Sequence, residues 1–243
     1  MHLAAVLIPA RFKSTRFPGK PLVPLKGKPM IQWVWQHALA SGFPVYVVTD
    51  DQRIEDCVRG FGGEVIRVDD DVPSGTERIA LAAQRKLAPG GYRFFVNVQG
   101  DEPLLKGASI RRLVEFHAQH PFDVTTLVRA RMRSEADWNN PNVVKAVMGT
   151  GGRVLYFSRA SVPFERDGGS APWFQHIGVY CYRSEALDTF VRLPESTIES
   201  FEKLEQLRAL EAGMSFGAVS MTERLVGVDT PEDVAKAEEA LGE

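Results

Sequence analysis

Leu3-Ala4-Ala5-Val6-Leu7-Ile8-Pro9-Ala10-Arg11-Phe12-Lys13-Ser14-Thr15-Arg16-Phe17-Pro18-Gly19-Lys20-Pro21-Leu22 is an apolar run that breaks abruptly into a basic loop. Residues 3–8 read as a buried strand, and the same kind of short apolar run recurs at 45–49, 64–68 and 94–98. Between them, 29–40, 51–61 and 74–87 carry helical patterns; in the first, Met30, Val34 and Ala38 recur at helical spacing and Pro29 suits a first turn. Strands alternating with helices predict an α/β fold with a mainly parallel central sheet flanked by helices. Such sheets bind ligands beyond the carboxyl ends of their strands. The loop after residue 8 therefore stands where a ligand is expected.

Working outward, the middle of the chain changes character. Residues 123–129, 143–147, 154–158 and 174–182 read as strands with little helix between them, which predicts a small mixed or antiparallel β subregion over roughly 123–183. Polar stretches at 148–153 and 165–171 punctuate it, the second reading as a mobile loop. The tail returns to a helix at 200–212, a strand near 215–219 and a helix from Pro231. No repeat or linker divides the chain, so residues 1–243 are expected to form one domain.

The 243 residues are enough to bury a core without covalent staples. Two cysteines, Cys57 and Cys181, in no metal-type spacing point to a reducing, cytoplasmic setting. A net charge of −2 argues against bulk binding to nucleic acid, although a single small anion needs only a local basic cluster. No apolar run approaches the roughly 20 residues that span a bilayer, so no membrane insertion is expected.

The basic loop offers Arg11, Arg16 and Lys20 as guanidinium and ammonium donors, with Ser14, Thr15 and backbone N–H groups beside them, a set that suits a polyphosphate. It is neither a P-loop, since Pro21 follows Lys20, nor a dinucleotide fingerprint. Gln99-Gly100-Asp101-Glu102-Pro103 follows a strand and could place a carboxylate on magnesium, or could be a simple Asp/Gly turn. Ser74-Gly75-Thr76-Glu77-Arg78 opens a helix, where Ser74 and Glu77 match a capping box and the free N–H groups could meet a nucleotide. In Asp229-Thr230-Pro231-Glu232-Asp233, Thr230 caps a helix, which leaves the Asp229 carboxylate available to a metal or to solvent. His176 in a strand reads first as structural. Glu205, opposite the Leu204, Leu207, Leu210 and Met214 stripe of one continuous helix, reads as solvated.

Together these segments resemble a known family. The loop 8–22, Ser74–Arg78, Val96-Asn97-Val98-Gln99-Gly100-Asp101-Glu102-Pro103, Leu155-Tyr156-Phe157-Ser158-Arg159-Ala160, His176-Ile177-Gly178-Val179-Tyr180, Leu204-Glu205-Gln206-Leu207-Arg208 and Gly227-Val228-Asp229-Thr230-Pro231-Glu232-Asp233 follow the order of the 3-deoxy-manno-octulosonate (KDO) cytidylyltransferases, or CMP-KDO synthetases. The resemblance implies a nucleotide-diphospho-sugar transferase-like fold, and a magnesium-dependent, homodimeric enzyme that joins CTP to KDO for lipopolysaccharide biosynthesis. It implies that Ala10, Arg11, Ser14, Arg16 and Lys20 hold the triphosphate, with Ser74 and Arg78 near the cytosine. Asp101 and Asp229 would bind Mg2+. Gln99, Arg159, His176, Tyr180, Glu205 and Gln206 would line the sugar pocket, with Arg11, Lys20, Asp101 and Asp229 as the catalytic set. An 8-amino relative of KDO, or a sialic-type acid, is the near alternative. A nicotinamide-dependent oxidoreductase and a non-catalytic nucleotide-binding module are the distant ones.

Overall fold

The computed structural model describes residues 3–13, 17–132, 135–167, 172–223 and 225–242. Ser14, Thr15 and Arg16 of the basic loop, and 168–171 of the stretch expected to be mobile, lie outside them. The chain forms two compact units: residues 1–114 with 224–243, and residues 115–223. The strand-rich stretch 123–183 falls within the second.

The first unit is built on Ala4–Ala10 (β1), whose residues Ala4 to Ile8 are fully buried. A strand without a polar face is covered on both sides, as parallel sheets require. Two short strands, Pro24–Leu25 (β2) and Lys28–Pro29 (β3), pair as a hairpin around Lys26 and Gly27, both at positive φ. Strands of two residues are too short to show an alternating pattern, and the sequence analysis placed none here. Met30–Leu39 (α1), Val45–Thr49 (β4), Gln52–Gly60 (α2), Glu64–Arg67 (β5), Gly75–Ala82 (α3) and Phe94–Asn97 (β6) complete the alternation. Apart from the antiparallel β2/β3 hairpin, the pairings within this unit are parallel, in the order β6-β1-β4-β5, with Leu7 opposite both Tyr46 and Asn97. That register puts the ends of β1, β4 and β6 along one edge, where Arg11, Asp50 and Asp101 emerge.

Gly107–Gln119 (α4) carries the chain into the second unit. The sequence analysis assigned it no element. Its buried stripe is Ile110, Leu113, Val114 and His117, and a histidine at the fourth position disguises an otherwise regular helical period. The second unit pairs Val124–Arg131 (β7) with Trp173–Arg183 (β10) antiparallel and with Phe216–Ser220 (β11) parallel. Lys145–Met148 (β8) and Val154–Ser158 (β9) add antiparallel pairs, so the expected mixed region is present. Ser184–Phe190 (α5) is a further helix that the sequence analysis missed.

The helix expected over 200–212 is two. Thr197–Glu202 (α6), with a Ser196/Glu199 capping box, ends at Lys203, whose φ of 52° is left-handed; Gln206–Glu211 (α7) starts afresh. Helical positions counted across that break are therefore meaningless. The chain closes with the helix Pro231–Ala240 of the first unit.

His117 is buried beside Thr125, whose hydroxyl lies 3.0 Å from Nδ1. Burial, and next the Arg183 charge, depress its pKa from 6.5 to about 3. The unfolded chain then takes up a proton between those values that the folded chain refuses, so stability is lost as pH falls through this window. Denaturant titrations between pH 7 and pH 4 should show His117→Gln weakened at pH 7 but with a pH slope shallower than wild type, by up to about 1.4 kcal/mol per pH unit. Identical slopes would show that His117 is not a proton-refusing group.

Candidate active site

The first unit carries a cleft of 390 Å³ lined by Pro9, Ala10, Arg11, Lys13, Lys20, Pro21, Gly75, Gln99, Gly100 and Asp101. That volume lies within the roughly 300–1,000 Å³ of small-molecule sites. Two glycines make its floor possible. A Cβ on Gly100 would stand 3.0 Å from the Pro9 carbonyl oxygen, and one on Gly75 would stand 3.1 Å from Pro9 Cγ. Only bare backbone lets α3 and the Asp101 loop close on the end of β1.

The basic loop is shaped from both sides. Gly19, at φ 73°, donates its N–H to the Phe12 carbonyl at 2.9 Å, closing the loop on itself. The Arg53 guanidinium, held by Asp51, stacks 3.2 Å over the Phe12 ring. Lys20–Leu22 is a single 3-10 turn with Pro21 inside it, so Lys20 does not lead into an α-helix.

Arg11 gives Nη1 to the Pro73 carbonyl at 3.1 Å and Nη2 to the Val72 carbonyl at 2.5 Å; its Nε is buried without a partner among the described residues. Burial, then the neighbouring Arg78 charge, holds the Arg11 pKa below its ordinary range. Two guanidinium groups that repel, each with a buried Nε that has no partner among the described residues, form a site that gains by receiving an anion. Arg78 itself is 2% exposed, bonded to the Val68 carbonyl and at 2.8 Å to Asp50 Oδ2. Ser74 caps α3 by accepting from Glu77 N–H at 3.1 Å. Gly75, rather than Ser74 or Arg78, lines the cleft, and the other two stand behind it.

Across the cleft the two aspartates converge. Lys20 Nζ lies 2.6 Å from Asp101 Oδ2 and 3.3 Å from Asp229 Oδ1. The loops that carry them are joined by a 3.0 Å bond from Val228 N–H to the Asp101 carbonyl. Asp233 accepts from Asp229 N–H and from the N–H and hydroxyl of Thr230, so the cap does not use the Asp229 carboxylate, which is turned to Lys20. Since one ammonium reaches both carboxylates, a point cation fits this pair. The donors are hard oxygens of the kind magnesium takes, one or two carboxylates completed by substrate phosphates. Beside them Glu102 has a buried Oε2 without a partner among the described residues, and burial, then Asp101 and Asp229, raise its pKa from 4.5 to about 8.

The residues expected around a sugar divide between the units. Gln99 lines the cleft of the first. In the second, His176 and Tyr180 face each other at 5.5 Å, and the His176 ring stands edge-on to Phe157 at 4.8 Å. His176 Nε2 is 3.2 Å from Thr126 Oγ1. Although part of the residue reaches the surface, removal of its ring from water lowers its pKa from 6.5 to about 3. It is a neutral hydrogen-bonding ring.

Glu205 corrects the sequence reading. The break at Lys203 turns it inward, its Oε1 is buried, and its charge, after burial, helps raise the Tyr180 phenol's pKa. Gln206 is 5% exposed, and its Nε2 has no partner among the described residues. Arg159 clamps backbone, donating to the carbonyls of Glu202 at 2.7 Å, Pro141 at 2.9 Å and Lys203 at 3.4 Å. The sequence analysis did not single out Lys13, Asp50, Glu102 or Glu202. Lys13 could have been found from its place in the basic loop and Glu102 from its place in the carboxylate turn. Asp50 and Glu202 carry no local signal, because only the fold brings them to Arg78 and to Ser158 and Arg159.

Gly100→Ala should force a methyl group onto the Pro9 carbonyl and cost about 1–3 kcal/mol of stability, read by denaturant unfolding. A neutral substitution would show that the two loops are not closely packed.

A cytidylyltransferase family model matches residues 5–216. An 8-amino-3,8-dideoxy-manno-octulosonate cytidylyltransferase of Shewanella halifaxensis is 45% identical over 240 residues, covering 97% of each chain. One of Shewanella putrefaciens is 44% identical with the same coverage. A solved CMP:2-keto-3-deoxy-manno-octonic acid synthetase in complex with CTP superposes with a TM-score of 0.91 at 37% identity, over 98% of both chains. A glucose-1-phosphate thymidylyltransferase of Bacillus anthracis, at 16% identity and TM-score 0.65, shares the fold alone. The chain is a nucleotidyltransferase and belongs to the cytidylyltransferase family, in its KDO-type branch.

Proposed function

We propose that this enzyme transfers the cytidylyl group of CTP to a 3-deoxy-manno-octulosonate, with release of pyrophosphate, in the cytoplasmic synthesis of lipopolysaccharide precursors. The observation that carries this reading is the convergence of Lys20, Asp101 and Asp229 beside Arg11 at one end of the parallel sheet. The oxygen of the sugar's anomeric hydroxyl attacks the α-phosphorus, the bond from that phosphorus to the bridging oxygen of the β-phosphate breaks, and the hydroxyl proton passes to solvent. Arg11 Nε and the Lys20 ammonium meet phosphate oxygens as charge moves onto the leaving pyrophosphate. Asp101 and Asp229 would hold Mg2+, which when bound withdraws electron density from the phosphates and acidifies the attacking hydroxyl. Gln99 would orient the sugar from the cleft of the first unit. The enzyme would act as a homodimer, and the two free cysteines, Cys57 and Cys181, accord with a cytoplasmic setting.

The names of the 45% and 44% identical relatives favour the 8-amino sugar as acceptor, whereas the 37% identical structure is named for the unsubstituted acid. Pyrophosphate release with four nucleoside triphosphates against both sugars should show CTP preferred and the 8-amino acid giving the higher kcat/KM. A preference for KDO would make the unsubstituted acid the substrate, and equal use of ATP would defeat the cytidine reading. Asp101→Asn and Asp229→Asn should each lower kcat by on the order of a hundredfold or more, and the double variant by far less than the product of the two, because the pair acts as a unit. Activity that survives EDTA, or an unimpaired Asp229→Asn enzyme, would remove the metal from the scheme.

A further inference from the structure

Lys20 stands in a place that raises a question of occupancy. Its ammonium is not directed at open solvent in the cleft but lies against both carboxylates, and its side chain is only 15% exposed. The Asp101 and Asp229 side chains are 30% and 51% exposed, so the pair is reachable from solvent. The backbone beneath Lys20 is fixed, with Leu22 N–H on the Gly19 carbonyl at 2.9 Å and Val23 N–H on the Lys20 carbonyl at 3.1 Å. Only the four-carbon stem is free to swing.

A magnesium ion takes carboxylate oxygens at about 2.1 Å. With Lys20 Nζ 2.6 Å from Asp101 Oδ2, an ion on that oxygen would lie less than about 5 Å from the ammonium. A divalent and a monovalent cation that close repel strongly when two carboxylates are the only anions between them. The charge balance changes when a polyphosphate enters. Its oxygens offer the ammonium a new partner, and the buried Arg11 Nε offers the polyphosphate an anchor on the same loop.

We propose that Lys20 and the divalent ion take turns on one carboxylate pair. The ammonium closes Asp101 and Asp229 until the polyphosphate draws it away, and the ion then takes its place. This rests on the reading of Asp101 and Asp229 as the metal-binding pair. Metal and nucleotide binding are then coupled through one side chain, and the coupling is reciprocal. The ion alone binds poorly, so the protein accepts it together with the nucleotide.

The test is Mn2+ binding to the protein without nucleotide, followed by the paramagnetic resonance of the free ion. Wild type, Lys20→Met, Lys20→Gln, Lys20→Arg and the double variant Lys20→Met/Asp229→Asn are compared, each checked for folding by thermal unfolding. Lys20→Met and Lys20→Gln should bind Mn2+ about tenfold or more tightly than wild type. Lys20→Arg should stay weak, because its guanidinium still covers the carboxylates. The double variant should lose the gain. Equal affinity in wild type and both neutral variants would overturn the exchange. A double variant that binds as tightly as Lys20→Met would overturn the carboxylate-pair reading and the exchange with it.

Discussion

A backbone hydrogen bond of 3.0 Å, from Val228 N–H to the Asp101 carbonyl, ties together two loops that lie far apart in the sequence. It can form because Val228 is anchored. Val228 is fully buried with Leu25, Met30 and Ala237, and Phe17, Trp33 and Val226 pack around that cluster. The C-terminal helix thus does more than close the first unit. It presents Asp229 to Lys20, while its cap absorbs the neighbouring N–H groups. The close fit extends to Gly227, where a Cβ would stand 3.3 Å from Glu102 Oε1. Burial of apolar side chains supplies the stability, and the carboxylate geometry follows from it.

The cleft is arranged around charges that the protein alone does not balance well. Arg11 is crowded by Arg78 and keeps a buried donor unused, while Glu102 is pushed towards its neutral form by burial and by the two aspartates. A site made of repelling like charges stores a driving force for ligands of opposite sign. Polyphosphate answers the first cluster and a cation the second, so a metal-bound nucleotide relieves both. Lys20 belongs to both clusters: its stem rises from the basic loop and its ammonium reaches the acidic pair.

The second unit works by a different physical means. Its candidate residues are held by aromatic packing and by hydrogen bonds to backbone. His176 is fixed by Phe157, Tyr180 and Thr126, and Arg159 by three carbonyls. Neutral or already satisfied groups of this sort suit recognition of hydroxyls, in contrast to the charge-driven cleft of the first unit.

The sequence by itself determined the alternating strands and helices of the first half, the strand-rich middle, both helix caps at Ser74 and Thr230, and the order of motifs that marks the family. These depend on local patterns: the uninterrupted apolar run of a parallel strand, the side-chain oxygen that precedes a helix, the glycine at a tight turn. Tertiary structure alone decided that α4 exists despite a histidine in its buried stripe, and that the helix expected at 200–212 breaks at Lys203 and turns Glu205 inward. It decided that Arg159 clamps a backbone turn, and that Lys20 lies on the carboxylates. The reason is that burial and Coulomb energy depend on neighbours brought together by the fold. Lys20 and Asp229 are 209 positions apart, a separation at which no local pattern carries information about contact.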